Sequence, residues 1–545
     1  MTISARRLAA LSLTMAAIAP TLATAQPVVR APAGAVRGTE AGGERIFRGI
    51  PYAQPPVGSM RWRAPEPLAV WRGVRDATNF GPACMQTPYA PGSLYAETYS
   101  GMSEDCLTLN VWAPKNAKNA PVFVFVHGGS LVRGSSQESV YDGAALAKRG
   151  IVVVTINYRL GVLGYLAHPG LSAESPQGIS GNYGLLDQIA SLKWVQRNIA
   201  AFGGNPKQVT IAGESAGALS MMYLLASPQA RGLFARAIVE SSSFGSTPAL
   251  KTQDNGMPSA ESAGVRFATA VGAKNIADLR ALDSQAIIAA AVKGQFVPTA
   301  AIDGRVLTRQ LVDTFDRGEQ ARVPVLTGFN SGEIRTLRAF LPPPVTDPAA
   351  YEAAIRARYG ELADTFLGFY PSSDIAESML ATTRDAIFGW TSQRLVRNQT
   401  AIDQPSYLYF FDHTSPAAEA AGLHGFHASE LPYVFGTLDR TPPRWPAIPQ
   451  TPAEWKYSAA MTDYWASFVK TGRPVAVGAP LWRPFGSGGA YMRFADPIAA
   501  SAHLFDDRYK LHEQMTCRRR AAGLPWALNV GVASPLPMPP KGKCA

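Results

Sequence analysis

Ser215 is the residue whose surroundings point most directly to chemistry, because it stands between two glycines in the run Gly213-Glu214-Ser215-Ala216-Gly217. The apolar, β-branched residues 209–212 predict a buried strand before it, and residues 218–225 predict a helix after it. Glycines on both sides allow a serine to occupy a tight turn between strand and helix with its hydroxyl accessible. The pattern predicts a nucleophile, which needs oxyanion donors, a base and an acid elsewhere in the chain.

One segment of the chain is a good candidate to supply the oxyanion donors. His127-Gly128-Gly129-Ser130 directly follows the apolar run 121–126, where a strand should end in a loop. Consecutive small residues let neighbouring backbone N–H groups point at one oxygen atom and stabilise a tetrahedral intermediate. The alternative is a flexible Gly-Gly turn without a chemical role.

The base and the acid should follow the serine, in the order serine, acid, histidine. His424 and His427 share a glycine-containing loop after the predicted strand 407–411, and their spacing does not choose between them. Glu333 comes shortly after the predicted strand 323–327. A carboxylate just past the carboxyl end of such a strand faces the crevice where α/β proteins bind ligands. Taken alone, a loop histidine or a loop glutamate is more often a solvated surface group.

Buried strands alternating with helices must position these groups. Apolar runs without polar alternation are typical of strands covered on both faces, and their alternation with helical patterns predicts an α/β fold with a largely parallel sheet. Helix-rich insertions over residues 258–316 and 347–400 should cap one edge, and no linker divides residues 26–545, which we expect to form a single domain. The predicted strands are residues 121–126, 151–157, 209–212, 237–240, 323–327 and 407–411, and the predicted helices are residues 144–149, 185–202 (stopped by residues 203–206) and 218–225.

The composition is that of a globular protein, and the N-terminal pattern indicates export. Hydrophobic residues make up 47% and charged residues 17% of the 545, which predicts a sizeable core. Residues 1–25 have the pattern of a signal peptide: Arg6 and Arg7 precede an apolar stretch, and Ala23-Thr24-Ala25 predicts cleavage before Gln26. We expect a secreted or periplasmic protein, and no later apolar run approaches the roughly 20 residues that span a bilayer.

The charge balance does not indicate a nucleic-acid partner. Without Arg6 and Arg7, 49 basic residues face 40 acidic ones, a net charge of +9. The basic residues are scattered except for Arg518-Arg519-Arg520, which we expect to form a solvated face.

Four cysteines in an oxidising compartment predict two disulfides. Three pairings of Cys84, Cys106, Cys517 and Cys544 are possible, of which Cys84–Cys106 and Cys517–Cys544 close the shortest loops. No CxxC or histidine-rich spacing indicates a metal site.

Six further runs carry the same family resemblance as the Ser215 turn. They are residues 47–58, 61–65, 103–111, 157–161, 181–188 and 202–206. Together they make nearly the whole mature chain resemble the type-B carboxylesterases, the family that includes the cholinesterases. The resemblance implies an α/β-hydrolase fold: a large, mostly parallel central sheet flanked by helices, with helical cap insertions. It also implies hydrolysis of a small-molecule carboxylic ester through an acyl-enzyme, with no metal or organic cofactor.

The resemblance assigns roles to the candidate residues. Ser215 falls on the family's nucleophile, Glu333 on its acid, and His427 rather than His424 on its base. Ser241 falls on a serine that lies beside the acid in the family.

The loops around the site depart from the family in part. The family's oxyanion run usually has three glycines and a phenylalanine, and here Ser130 and Leu131 replace the last two. The resemblance therefore implies Gly129, Ser130 and Ala216 as N–H donors. Cys84 and Cys106 match the disulfide that closes the loop over the gorge.

The residues of the loop between Cys84 and Cys106 indicate which class of substrate to expect. Cholinesterases carry a tryptophan in it to bind quaternary ammonium, whereas this chain has only Tyr89, Tyr95 and Tyr99 there, which argues against a cholinesterase. Residues 85–105 are short and polar, unlike the amphipathic lid of a lipase, and favour a water-soluble ester. An acyltransferase, a lipase and a non-catalytic binding protein remain as alternatives.

Three arginines suggest a further hypothesis about the substrate. Arg133 follows the oxyanion run, and Arg335 and Arg338 follow Glu333. An arginine that faces the substrate would favour an anionic ester, since its planar fork binds a carboxylate with two hydrogen bonds. The alternative is that all three point to solvent or pair with structural carboxylates.

Overall fold

The computed structural model describes residues 26–526, 530–535 and 537–544, so the predicted signal peptide lies outside the described residues. Within them the strands are β1 (Val28–Ala31), β2 (Gly34–Arg37), β3 (Thr39–Ala41), β4 (Glu44–Pro51), β5 (Val74–Asp76), β6 (Ala83–Cys84), β7 (Met102–Ser103), β8 (Thr108–Pro114), β9 (Ala120–Val126), β10 (Val152–Ile156), β11 (Gly204–Glu214), β12 (Arg236–Glu240), β13 (Val325–Asn330), β14 (Ser406–Phe411), β15 (Ala490–Phe494) and β16 (Ala499–Ala502).

Eleven of these strands form one central sheet, in the order β16-β15-β14-β13-β12-β11-β9-β10-β8-β4-β3. The strands from β10 through β9 and β11 to β15 pair in parallel, whereas β8, β4 and β3 at one edge and β16 at the other pair antiparallel. The prediction of a largely parallel sheet is therefore confirmed. The carboxyl ends of its parallel strands meet along one edge, which is where ligands bind in such sheets.

Strand β9 illustrates why these apolar runs form central strands. Its side chains alternate between the two faces, so Val122 and Val124 pack into one hydrophobic core and Phe123 and Phe125 into the other. All four are fully buried, because helices cover both faces of the sheet.

The α-helices of the described residues are α1 (Ala144–Lys148), α2 (Gly161–Tyr165), α3 (Pro169–Glu174), α4 (Tyr183–Asn198), α5 (Ala216–Ala226), α6 (Ala260–Ala270), α7 (Ile276–Ala281), α8 (Ser284–Lys293), α9 (Leu311–Asp316), α10 (Glu333–Thr336), α11 (Pro348–Tyr359), α12 (Ala363–Phe369), α13 (Ile375–Arg384), α14 (Trp390–Ala401), α15 (Pro416–Ala420), α16 (Leu431–Phe435), α17 (Pro452–Thr471) and α18 (Asp506–Ala521). A π-helical turn, Asp385–Gly389, joins α13 to α14. The insertions over residues 258–316 and 347–400 are helical, as predicted. None of the described helices combines the length and apolar composition needed to cross a bilayer.

The prediction that residues 203–206 end the helix and form a break is only partly correct. Helix α4 ends at Asn198 and one 3₁₀ turn, Ile199–Phe202, follows it, but β11 then begins at Gly204. Its register with β9 shifts between Gly204 and Val209. Pro206 lies in this irregular stretch, where a residue without an N–H group is tolerated because the ladder is already interrupted.

Both predicted disulfides are present in the structure. Cys84 is bonded to Cys106, and Cys517 in α18 is bonded to Cys544 near the C-terminus.

The expectation of a solvated face at residues 518–520 is wrong. Arg518 and Arg519 are buried on the inner side of α18. Arg518 Nη2 lies 2.7 Å from Glu361 Oε1, and Arg519 Nη2 donates to Ser534 Oγ at 2.9 Å. Acceptors contributed by other elements thus replace the water that these guanidinium groups would otherwise need.

Candidate active site

Ser215 occupies the sharp turn between β11 and α5. Its φ of 56° and ψ of −120° are strained for a residue with a side chain, and its N–H donates to Glu240 O at 2.9 Å. The turn fits only because glycine flanks it: a Cβ atom on Gly217 would lie 2.0 Å from Val126 O. The half-buried serine is thereby held at the carboxyl edge of the sheet.

Glu333 and His427 are joined at the same edge. Glu333 is the first residue of α10, just after β13, and His427 lies in the loop after β14. His427 Nδ1 is hydrogen-bonded to Glu333 Oε2. The other carboxylate oxygen accepts from Ser241 Oγ at 2.6 Å and from the N–H of Asn330 at 2.8 Å. This arrangement orients the imidazole and leaves its Nε2 available as a base.

His424 lies in a different environment. Its Nδ1 is 3.0 Å from Glu419 Oε2, and 39% of its side chain is exposed. Of the two candidate histidines, only His427 contacts Glu333.

The Nε2 atom of His427 is close to a carboxylate that sequence reasoning did not single out. It lies 3.1 Å from Glu214 Oε1, at salt-bridge distance but without hydrogen-bond geometry. Among the described residues, no hydrogen bond joins the Ser215 hydroxyl to His427. Glu214 directly precedes Ser215 in the glycine-flanked turn, and no local signal showed that its side chain would reach His427.

Buried carboxyl groups dominate the electrostatics of this site. Glu214, Glu240 and Glu430 are all buried around the His427–Glu333 pair. Burial raises the pKa of each above the usual carboxyl range, and repulsion from neighbouring carboxylates raises it further. Burial lowers the pKa of His427, but the carboxylates of Glu214 and Glu333 raise it by more, so its pKa lies above 6.5. These carboxylates therefore stabilise the charged form of His427 relative to that of a solvent-exposed histidine.

The predicted oxyanion run forms a tight turn after β9. Its N–H groups at Gly129 and Ser130 have no acceptor among the described residues, while Gly129 O accepts from the N–H of Arg133 at 3.1 Å. Ala216 is the first residue of α5, so its N–H is also free of an intrahelical acceptor. Ser130 and Leu131 adopt φ values of 58° and 59°, which glycine would occupy with less strain. Three N–H groups are thus available for one oxyanion.

One further contact to the base was not predicted. The hydroxyl of Tyr95, from the loop between Cys84 and Cys106, donates to His427 O at 2.9 Å. The sequence marked Tyr95 only as an aromatic residue in that loop.

Known proteins similar to this chain are esterases. A model described as the carboxylesterase family matches residues 25–511. Fumonisin B1 esterase of Sphingopyxis macrogoltabida is 37% identical over 86% of this chain and 87% of that protein. Para-nitrobenzyl esterase of Bacillus subtilis (strain 168) is 36% identical over 81% of this chain and 89% of that protein. A solved structure of a PNB esterase matches with a TM-score of 0.77 and 33% identity, covering 90% of this chain and 99% of that one.

Replacing Glu214 with glutamine should move the pH profile of ester hydrolysis. His427 must be neutral to accept a proton, and the buried Glu214 carboxylate stabilises its charged form. The rising limb of kcat/KM should therefore lie above pH 6.5 in the wild type and shift to lower pH in Glu214→Gln. Initial rates on a p-nitrophenyl ester, measured across the rising limb, would show this shift.

The matched control is Glu419→Gln, which removes the carboxylate beside His424 and should leave the profile unchanged. An unshifted limb in Glu214→Gln would mean that Glu214 does not influence the titration of the base.

Proposed function

The chain belongs to the carboxylesterase family, and on that premise we propose that Ser215, His427 and Glu333 perform its chemistry. The protein is a carboxylic-ester hydrolase with the α/β-hydrolase fold. The assignment of roles rests chiefly on the hydrogen bond between His427 Nδ1 and Glu333 Oε2, at the sheet edge where the strained Ser215 turn also lies. We further propose that residues 26–545 form a single catalytic domain.

Acylation begins when His427 Nε2 accepts the proton of Ser215 Oγ. The Oγ atom attacks the ester carbonyl carbon, and the bond from this carbon to the alcohol oxygen then breaks. The leaving alcohol takes the proton from Nε2. In the free enzyme Nε2 lies beside Glu214, and catalytic hydrogen bonds of this kind often align only when substrate is bound.

The N–H groups of Gly129, Ser130 and Ala216 stabilise the negative oxygen of the tetrahedral intermediate. They have no backbone acceptor within the described part of the chain, so no such hydrogen bond has to break before they act. Water, deprotonated by the same His427, hydrolyses the acyl-enzyme and restores Ser215. Glu333 holds His427 Nδ1 by its hydrogen bond and stabilises the imidazolium form that arises during the reaction.

We propose Arg133 as the residue that would recognise an anionic ester. The guanidinium of Arg335 already forms an ion pair, since its Nη2 lies 2.7 Å from Glu377 Oε2. Arg338 is exposed, and its Nε donates to the carbonyl of Arg335 at 3.4 Å. Arg133 is half-buried, its guanidinium lies 5.1 Å from the centre of the Tyr89 ring, and no carboxylate of the described residues is within salt-bridge distance. Its backbone also closes the oxyanion turn, which brings it next to the proposed site.

We also propose that the protein is exported. Residues 1–25 carry the signal-peptide pattern, and two disulfides are typical of an oxidising compartment.

Ser215→Ala should lower kcat by a factor on the order of 10⁴ or more while the fold remains intact, because no other group supplies the acyl-accepting oxygen. His427→Ala should cause a comparable loss. His424→Ala is the matched control in the same loop and should retain nearly full activity. Ester hydrolysis and circular dichroism measured together test this, and activity surviving in Ser215→Ala would refute the proposed nucleophile.

If Arg133 recognises substrate charge, a carboxylate-bearing ester should have a higher kcat/KM than its neutral isostere. The advantage should shrink as salt screens the interaction and should disappear in Arg133→Ala. Arg338→Ala is the control, since that residue is exposed away from the oxyanion turn. A preference for the neutral ester at every salt concentration would exclude the anionic class.

The exported protein should begin at Gln26 and contain no free thiol. Intact-mass measurement after alkylation without reduction would give both results, since each unpaired cysteine adds one label. A chain that retains residues 1–25, or that takes up four labels, would contradict export with two disulfides.

A further inference from the structure

The loop closed by Cys84–Cys106, residues 85–105, is anchored to the segment that follows the oxyanion turn. The side-chain amide of Gln86 donates to Gly134 O at 2.9 Å and accepts from Gly134 N–H at 2.9 Å. Further along the loop, the Tyr99 hydroxyl donates to Glu138 Oε1 at 2.9 Å. The loop is therefore fixed on this side of the site.

The hydroxyl of Tyr95 connects the same loop to the opposite side of the site. Tyr95 Oη lies 2.9 Å from His427 O and 2.7 Å from Thr336 Oγ1. A carbonyl oxygen can only accept, so Tyr95 donates to His427 O and the Thr336 hydroxyl donates to Tyr95. Thr336 is the last residue of α10, the helix that begins with Glu333. The phenol thus joins the loop of the base to the helix of the acid.

The carbonyl held by Tyr95 lies at a strained point of the backbone. It belongs to the peptide between His427 and Ala428, and Ala428 adopts a φ of 67°. Alanine has no side-chain group that could stabilise the left-handed conformation by a hydrogen bond. The Tyr95 hydrogen bond opposes rotation of this peptide towards an unstrained conformation, and such a rotation would turn the imidazole of His427 away from Ser215.

Aromatic packing keeps the phenol in this position. The Tyr95 ring meets Trp445 edge-on with centroids 6.0 Å apart, and Trp445 meets Phe426 edge-on at 5.1 Å. Phe426 directly precedes His427. Burial also raises the pKa of Tyr95, so its hydroxyl keeps the proton that it donates.

We propose that Tyr95 is a positioning residue, which holds the peptide of His427 so that Nε2 keeps its catalytic orientation. The proposal rests on the proposed function of His427 as the base. The Tyr95 hydroxyl is engaged by His427 O and Thr336 Oγ1, so we expect its loss to lower kcat and leave KM nearly unchanged.

Tyr95→Phe tests this directly, because it keeps the ring and removes only the hydroxyl. A misplacement of about 1 Å at a catalytic group can reduce turnover by up to roughly 100-fold, so we expect kcat to fall by about 10- to 100-fold. KM should stay within about twofold of the wild type. Active-site titration would count the folded, competent enzyme, so that kcat is compared per site. Tyr99→Phe is the matched control, since it removes a hydroxyl of the same loop that contacts Glu138 rather than the base, and it should retain kcat within about twofold.

A second variant tests the strain at the peptide. Glycine adopts a φ of 67° readily, so adding Ala428→Gly to Tyr95→Phe should recover at least several-fold of the lost kcat. Loss of general packing would not be rescued in this way. Equal kcat values for Tyr95→Phe and Tyr99→Phe, or no recovery on adding Ala428→Gly, would overturn the proposal.

These results separate the two proposals. If His427→Ala keeps its activity, the assignment of the base itself is wrong. If His427→Ala is inactive while Tyr95→Phe turns over like the wild type, only the positioning role of Tyr95 fails.

Discussion

The hydrogen bond between His427 Nδ1 and Glu333 is the contact on which the site depends. It joins the loops that follow two neighbouring parallel strands, β13 and β14, and it lies in a fully buried environment. A buried carboxylate is tolerated only when its oxygens are paired, and Ser241 and Asn330 complete the pairing of Glu333. Removing one partner of such a pair leaves an uncompensated charge, which typically costs about 3–5 kcal/mol. The geometry of the base and the stability of this sheet edge are therefore coupled.

The carboxyl groups around this pair form one electrostatic system. Glu214 and Glu430 are buried near Glu333, Glu240 is buried near both of them, and several like charges in such a volume cannot all ionise. Protons are thus shared among the acids, and the charge on Glu214 changes the proton affinity of His427. The titration observed in such a site belongs to the group of residues rather than to His427 alone.

Local sterics explain which features the sequence could predict. The turn at Ser215 was predictable because only glycine fits at its flanks, and β9 and β10 were predictable because a strand buried on both faces must be apolar throughout. The burial of Arg518 and Arg519 was not predictable, because the acceptors that permit it, including Glu361 and Ser534, come from other parts of the chain. The contact between Tyr95 and His427 spans 332 residues and follows no local pattern, so only the folded chain reveals it. The contact of Glu214 with His427 depends in the same way on tertiary structure.

The order of the strands along the chain has a consequence for how the protein becomes active during synthesis. The oxyanion turn follows β9, the serine follows β11, the acid follows β13 and the histidine follows β14, so the parts of the site are made in this order over residues 129–427. Because β14 must pair with β13 before His427 reaches Glu333, a nascent chain that ends before β14 holds three parts of the proposed site but lacks His427, the proposed base. Contacts between residues so far apart in sequence form late in folding, since a long loop must first be closed. On the proposed assignment of roles, ester hydrolysis therefore starts only after translation has passed His427, and every shorter nascent chain is inactive.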